Sequence, residues 1–347
     1  MRLRKRIRKG ENFDLKRVTV KDIAKASGYS VATVSKTLNG TDRVGAETIE
    51  KIKRIAAEMG YRSSFSAQAL VRKPRRVAIV LFRTPAEVRS LFEAGFTQSF
   101  DLYSEFGLEA DYHYFDSLTD VDWDAIEQTA CAAIVTPGAG LEACSHRLEA
   151  LGTRLPLVLL QSSPELPLPR LCGVTVNARV VGMMAAQFLS LTSGHVGVLT
   201  GYGSRWIHRQ NLNGFLHAAG EFGLNHLSTA ETYDRMDVAY DAARRMMKAH
   251  PQMDGLFVTS YVSPAVCQCA ADLNRPMHII GVDLFADSIS CLRSGTLAAA
   301  IFQNQQRQAQ LALEAVVNHL RGIAPENSIQ VKPELVLRTN CSCYGWL

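Results

Sequence analysis

The feature that most constrains the fold is a steady alternation of two hydrophobic patterns from Val77 onward. Short apolar runs such as RVAIVLF and LPLVLL have the length and composition of buried strands. Between them lie longer stretches such as AEVRSLFEAGFTQSFDLYSEFG, in which apolar residues recur at helical spacing. Alternation over about 260 residues predicts parallel α/β sheets with helices on both faces. Because these strands are too many for one compact sheet, we expect two doubly wound subdomains whose strand ends share a cleft.

The charge of the chain is divided unevenly. Residues 1–76 hold 20 of the 38 Lys and Arg residues but only 7 of the 33 Asp and Glu residues, a net charge of +13 against −8 for the remainder. This split is typical of a polyanion-binding module joined to a soluble body. A disordered solubilising tail is the alternative, and it fits residues 1–17, which lack apolar periodicity.

Residues 18–60 have instead the pattern of three short helices around a small core. Thr19 is placed to cap the first helix and Gly28 to end it. Ser30 is placed to cap the second, in which Val34 has the inward spacing of a core residue. A third amphipathic stretch follows. Three helices with a tight turn between the first two predict a helix-turn-helix DNA-binding domain.

Several segments resemble one known family. VTVKDIAKASGYSVATVSKTLNG, with MGY farther on, resembles the DNA-binding domain of the lactose-repressor (LacI/GalR) family of bacterial transcription regulators. SGHVGVLTG, GFLHAAGEFG and HIIGVD resemble segments of the same family's core. LRSGTLAAAIFQNQQRQAQLA is similar to the related periplasmic sugar-binding proteins.

The resemblance implies a repressor that binds a pseudopalindromic operator in double-stranded DNA as a homodimer or tetramer. A small effector, expected to be a sugar or sugar derivative, would bind between two periplasmic-binding-protein type I subdomains and change operator affinity. The expected parts are a basic tail (1–17), the helix-turn-helix domain (18–60), a hinge helix and linker (61–76) and a core (77–347). The expected N-subdomain is about 77–175 and 304–331, and the expected C-subdomain about 176–303 and 332–347.

The resemblance also assigns the DNA contacts. Val31, Ala32 and Lys36 fall on base-reading positions of the second helix, where the two apolar residues suit a thymine methyl and the lysine suits guanine O6 and N7. The other headpiece positions fit phosphate contacts, which position the protein without reading sequence, and they are Thr19, Ser30, Thr33, Ser35, Asn39 and Arg43. Tyr61, in the segment MGY, is the last residue that matches the family's DNA-binding domain, and it is included among the expected DNA contacts.

In the hinge segment SFSAQAL, Ala67 and Leu70 match the family's Ala-x-x-Leu. The resemblance implies that Leu70 wedges into the minor groove at the operator centre. An ordinary linker residue is the alternative. Ser63 and Ser64 stand where the family often has Pro and Asn, so the minor-groove contacts here depart from the family's.

The resemblance also places the effector site at the ends of the predicted strands. The residues at its positions are Phe82, Arg83, Gln161, Arg209, Asn211, Ser260, Asp283 and Gln303. Gln161 replaces a frequent Asp, and Asn211 replaces the usual sugar-binding Arg, for which Arg209 is a candidate substitute. Asp283 and Gln303 match the family and suit a neutral polyol, since carboxylates accept and amides both accept and donate hydrogen bonds. An anionic ligand held by Arg83, Arg205 or Arg209 stays open at this point.

Two other classes of protein, an enzyme and a periplasmic-type sugar-binding protein, fit the sequence less well. An α/β enzyme would need a catalytic or cofactor motif, and we find no GxxxxGK[ST] loop, GxSxG elbow or dinucleotide fingerprint, so no catalytic residue and no cofactor are predicted. A periplasmic-type sugar-binding protein would have a secretory signal, which the basic N-terminus does not resemble. The eight cysteines lack ligand spacing and are expected to be reduced, mostly buried thiols with no metal. We expect no membrane span and a cytoplasmic location.

Overall fold

The computed structural model describes residues 18–38, 44–59, 74–83, 85–138 and 144–344 of the 347-residue chain. Contacts divide the chain near Lys73 into an N-terminal headpiece and a core, and each is described by itself. None of the described helices is long and apolar enough to cross a membrane.

The headpiece contains the three predicted helices, α1 (Val20–Ser27), α2 (Val31–Leu38) and α3 (Ala46–Glu58). Their core is apolar and consists of Ile23, Ala24, Val34, Ile52 and Ala56, with Leu38 packed against it. The prediction that Val34 faces inward is therefore confirmed.

Local capping explains where α1 and α2 begin. Thr19 Oγ1 accepts a hydrogen bond from the N–H of Asp22 at 3.4 Å, and Asp22 Oδ2 accepts one from the N–H of Thr19 at 2.8 Å. Ser30 Oγ accepts a hydrogen bond from the N–H of Thr33 at 3.1 Å. Gly28 ends α1 at a φ of 76°, where a side chain would be strained. The predicted caps are confirmed.

One of the two lobes of the core, which we call the N-lobe, is built on a sheet of six parallel strands. Its strands, in the order β11-β5-β4-β3-β1-β2, are β1 (Arg75–Phe82), β2 (Leu108–Phe115), β3 (Ala133–Pro137), β4 (Leu157–Leu160), β5 (Cys172–Val176) and β11 (Ser328–Val331). Its helices are α4 (Ala86–Leu102), α5 (Trp123–Gln128), α6 (Ser145–Gly152) and α12 (Gln305–Leu320).

The second half, the C-lobe, is another six-stranded sheet. In the order β12-β10-β9-β8-β6-β7, its strands are β6 (His195–Thr200), β7 (Asn225–Glu231), β8 (Gly255–Val258), β9 (His278–Val282), β10 (Ala299–Phe302) and β12 (Glu334–Val336). Separate apolar clusters cover its two faces. Its helices are α7 (Ala178–Ser190), α8 (Trp206–Glu221), α9 (Met236–Ala249), α10 (Ser263–Asp272) and α11 (Ala286–Ser294).

The predicted class, an α-helical headpiece followed by two doubly wound sheets, is confirmed, with two differences in detail. Strand β12 is antiparallel to β10, because the chain passes from the carboxyl end of β11 directly into the cleft side of the C-lobe. Strand β1 begins at Arg75, so the last two residues of the predicted 61–76 linker belong to the sheet. Residues 61–73 of that linker, to which the hinge helix was assigned, and the basic tail lie outside the described residues.

Candidate functional site

One face of α2 is exposed and carries the three residues predicted to read bases. Val31 is 46% exposed, and Ala32 and Lys36 are exposed as well, whereas Val34 and Thr37 are buried. The side chains of the two caps hydrogen-bond within the chain, Thr19 with Asp22 and Ser30 with Thr33, and Ser35 is half-buried. The remaining predicted DNA contacts, Asn39, Arg43, Tyr61, Ala67 and Leu70, lie outside the described residues.

The core contains a cleft of about 980 Å³, including the part that opens to solvent, where the carboxyl ends of the strands of both lobes meet. Six of the eight predicted effector residues line it, and they are Phe82, Gln161, Asn211, Ser260, Asp283 and Gln303. Most of them end or directly follow a strand, which is the location expected for ligand sites in such sheets. Gln161 and Asp283 have φ angles of 52° and 69°, a conformation that costs free energy and is concentrated at functional sites.

Asp283 is the buried carboxylate of the cleft. Its Oδ2 accepts a hydrogen bond from Gln303 Nε2 at 3.0 Å, and its Oδ1 accepts one from the Gln303 N–H at 3.3 Å. Burial raises the pKa of Asp283 to about 6, although the hydrogen bonds from Gln305 and Gln303 act in the opposite direction. A carboxylate can only accept hydrogen bonds, so the side-chain amides of Gln303 and Gln305 must both turn their NH₂ groups toward Asp283. Their Oε1 atoms are left buried without a hydrogen-bond partner among the described residues.

Asn211 is fully buried on α8 and lines the same cleft. Neither its Nδ2 nor its Oδ1 has a hydrogen-bond partner within the described part of the chain. Buried amides are nearly always hydrogen-bonded, so this amide has an unused donor and an unused acceptor among the described residues.

Arg209 does not take the place of the missing arginine at position 211. Two residues along an α-helix correspond to a rotation of about 200°, so Arg209 points away when Asn211 points into the cleft. Its guanidinium instead donates to the carbonyl of Gly203 at 3.3 Å and to that of Ser204. Arg83 also lies outside the cleft lining, where its Nε pairs with Asp116 at 3.5 Å.

Sequence reasoning missed Asp234 and His208. Arg205 Nη1 donates to Asp234 Oδ2 at 2.8 Å, and His208 Nε2 lies 3.5 Å from Asp234 Oδ1. Burial raises the pKa of Asp234, but His208 and Arg205 outweigh this and hold it below its usual value. The Arg205 guanidinium carbon also lies 5.5 Å from the ring centre of Phe82 in the other lobe. The sequence did contain a signal for His208, because this residue lies three positions before Asn211 and therefore on the same face of the helix.

Comparison with known families identifies both parts of the chain. Residues 19–64 match the profile of bacterial regulatory proteins of the lacI family, and residues 123–324 match a periplasmic binding protein domain. The chain belongs to the family of periplasmic binding protein domains, and its N-terminal part carries a lacI-family domain. Within the described residues, no group of three or more His, Cys, Asp or Glu side chains is placed to hold a metal ion.

Curated relatives carry regulator names. The sucrose operon repressor of Klebsiella pneumoniae is 32% identical over 183 residues, which cover 50% of this chain and 53% of that protein. The repressor PurR of Aliivibrio salmonicida is 24% identical over 92% of this chain and 98% of its own length. The first three relatives are matched over 53–62% of their length. These relatives are regulators, so they do not favour the alternative of an enzyme.

Solved structures share the fold of the core. GanP of Geobacillus stearothermophilus, a glucose-galactose binding protein, superposes with a TM-score of 0.70 at 17% identity and covers 78% of this chain and 99% of its own. The periplasmic ribose ABC transporter protein of Conexibacter woesei also gives a TM-score of 0.70, at 14% identity. At such identities the likeness concerns the fold alone.

Proposed function

We propose that this protein is a sequence-specific transcriptional repressor of the lacI type, whose operator affinity is controlled by a small effector. The proposal includes a cytoplasmic homodimer or tetramer on a pseudopalindromic operator. The observation that carries it is the combination, in one chain, of an exposed α2 face with a separate cleft that contains a buried, unpaired amide at Asn211. Such a cleft is suited to bind a small molecule, and such a helix is suited to read bases.

The proposed effector is a neutral carbohydrate or sugar derivative. The NH₂ groups of Gln303 and Gln305 both donate to Asp283. Their Oε1 atoms therefore remain available to accept hydrogen bonds from an effector. Hydroxyl groups of a polyol are suitable donors. Phe82 and Trp206, both half-buried in the lining, offer apolar surface for the C–H face of a sugar ring.

An acidic effector is disfavoured by the same geometry. Both arginines of the cleft lining are already paired, Arg205 with Asp234 at 2.8 Å and Arg89 with Glu93 at 3.3 Å, and Arg83 and Arg209 lie outside the lining. A carboxylate or phosphate ligand would therefore compete with these carboxylates and would be repelled by the buried Asp283.

Two measurements test these statements separately. Selection from random DNA duplexes, followed by gel shift at about 150 mM salt, should yield a pseudopalindromic site. Calorimetry should compare glucose, galactose and ribose with glucuronate, galacturonate and ribonate. At least one neutral sugar should bind about tenfold more tightly than its acid, which corresponds to about 1.4 kcal/mol. Absence of sequence enrichment would contradict the regulator, whereas binding of acids alone, or no binding, would contradict only the effector class.

Lys36→Ala should weaken binding to the selected operator by about 10- to 100-fold and relax its base preference at one position of each half-site, because the only strong donor of the predicted base-reading set is removed. Lys53→Ala removes the same charge from exposed α3 and serves as the control. Gel shifts over a series of salt concentrations measure both variants. Equal losses of operator affinity in the two variants would mean that Lys36 contributes only its positive charge and does not read a base.

A further inference from the structure

One arginine contacts aromatic rings of both lobes. Arg205 precedes α8 in the C-lobe, and its guanidinium carbon lies 4.6 Å from the ring centre of Tyr202 in the same lobe. The same carbon lies 5.5 Å from the ring centre of Phe82, the last residue of β1 in the N-lobe. Both Arg205 and Phe82 line the cleft. A cation at these distances is attracted to the face of each ring, so Arg205 joins the two lobes at the cleft.

The C-lobe fixes Arg205 in place through Asp234. Arg205 Nη1 donates to Asp234 Oδ2 at 2.8 Å, and the hydroxyl of Tyr261 donates to the Asp234 carbonyl at 2.6 Å. Asp234 has a φ of 53°, a conformation that persists only where the surrounding structure holds it. His208 Nε2 lies 3.5 Å from Asp234 Oδ1, and its Nδ1 is hydrogen-bonded to Thr259 Oγ1 at 3.1 Å. The guanidinium is therefore part of a largely buried network of the C-lobe and moves with that lobe.

The N-lobe contributes an aromatic ring to this contact. Phe82 packs against Phe115 of the neighbouring strand, with ring centres 4.7 Å apart, so its ring moves with the N-lobe. Among the described residues, no hydrogen bond or ion pair joins Arg205 to the N-lobe. A cation–π contact at a partly exposed site changes an equilibrium by about two- to fivefold. It is therefore strong enough to favour one arrangement of the lobes and weak enough to break when they move.

We propose that the contact between Arg205 and Phe82 is a latch that holds the two lobes together across the cleft. The chain passes between the lobes after β5, β10 and β11, and rotation at such connections opens a cleft. Because each partner is fixed to its own lobe, a rotation that separates the lobes must break the contact between them. The proposal goes beyond the regulator function and does not depend on which effector binds.

Four variants test the latch through the ratio of closed molecules, in which the contact is made, to open ones. Phe82→Leu removes the ring but keeps an apolar side chain, and it should lower this ratio by about two- to fivefold. Phe82→Tyr keeps a ring and should retain the wild-type ratio. Arg205→Gln removes the cation but leaves an amide that can donate to Asp234, and it should lower the ratio as Phe82→Leu does. Arg235→Gln is the control, because it removes the same charge from an exposed arginine of the neighbouring loop, which pairs with Asp237.

Single-molecule energy transfer in the full-length chain, without added sugar, measures the ratio. Leu102 at the end of α4 and Leu191 directly after α7 are exposed, one in each lobe. Replaced by p-acetylphenylalanine, they accept two dyes through oxime bonds, which leaves the eight cysteines unmodified. The double variant Phe82→Leu/Arg205→Gln should lose no more than either single variant, because the two residues form one contact.

Additive losses in the double variant would overturn the latch, as would a Phe82→Leu ratio equal to that of the wild type. An equal loss in Arg235→Gln would overturn it too, because net charge alone would then control the separation of the lobes. So would a wild type that shows no closed population.

Discussion

Asn211→Leu is expected to stabilise the core and to abolish effector binding at the same time. In the free protein the Asn211 amide is fully buried, and neither polar atom has a partner among the described residues. Leucine has a similar shape and no desolvation cost, so the free energy of unfolding should rise by about 1–3 kcal/mol. A bound effector would leave its own polar group unpaired against leucine, which should weaken affinity by about 100-fold or more.

Urea unfolding and calorimetry with the sugar identified for the wild type measure the two effects. Asn213→Leu is the matched control, because it makes the same change at an exposed position of the same helix. It should change stability by less than about 0.5 kcal/mol and leave effector affinity unchanged. A destabilised Asn211→Leu that still binds the sugar would show that Asn211 is structural.

The fold and most of the cleft follow from local patterns in the sequence. Apolar runs and helical stretches differ in period, so the alternating sheet could be recognised segment by segment. Gln161 and Asp283 could be located because each follows a strand, and the carboxyl ends of parallel strands face one cleft. Headpiece caps were equally local, since Thr19 and Asp22 are only three residues apart.

What could not be predicted depends on distant segments meeting. Asp234 follows β7 in a loop without a recognisable pattern, and its role arises only where that loop meets the start of α8 and its Arg205. Arg209 was assigned by closeness in sequence, whereas the helical rotation directs it away from Asn211. The direction of β12 likewise depends on the side from which the chain enters the C-lobe, which three residues of sequence cannot encode.

Asp283→Asn should remove a large pH dependence of core stability. The folded pKa of this carboxyl is about 6, above its usual 3.8, because burial disfavours the charge. Between these two pH values the folded chain keeps a proton that the unfolded chain has lost, so stability falls as the pH rises from about 4 to about 6. The shift corresponds to about 3 kcal/mol, which the wild type has lost above pH 6.

Asparagine carries no charge at any of these pH values, and Gln303 and Gln305 can rotate their amides to meet it. The variant should therefore be more stable than the wild type at pH 7.5 by up to about 3 kcal/mol and nearly equal to it at pH 4. Urea unfolding at half-unit pH steps gives the difference between the two proteins, in which the other carboxylates cancel. Asp287→Asn, at an exposed position four residues away, should follow the wild-type curve. A constant offset between wild type and Asp283→Asn at every pH would mean that Asp283 titrates in the folded protein as it does in the unfolded one.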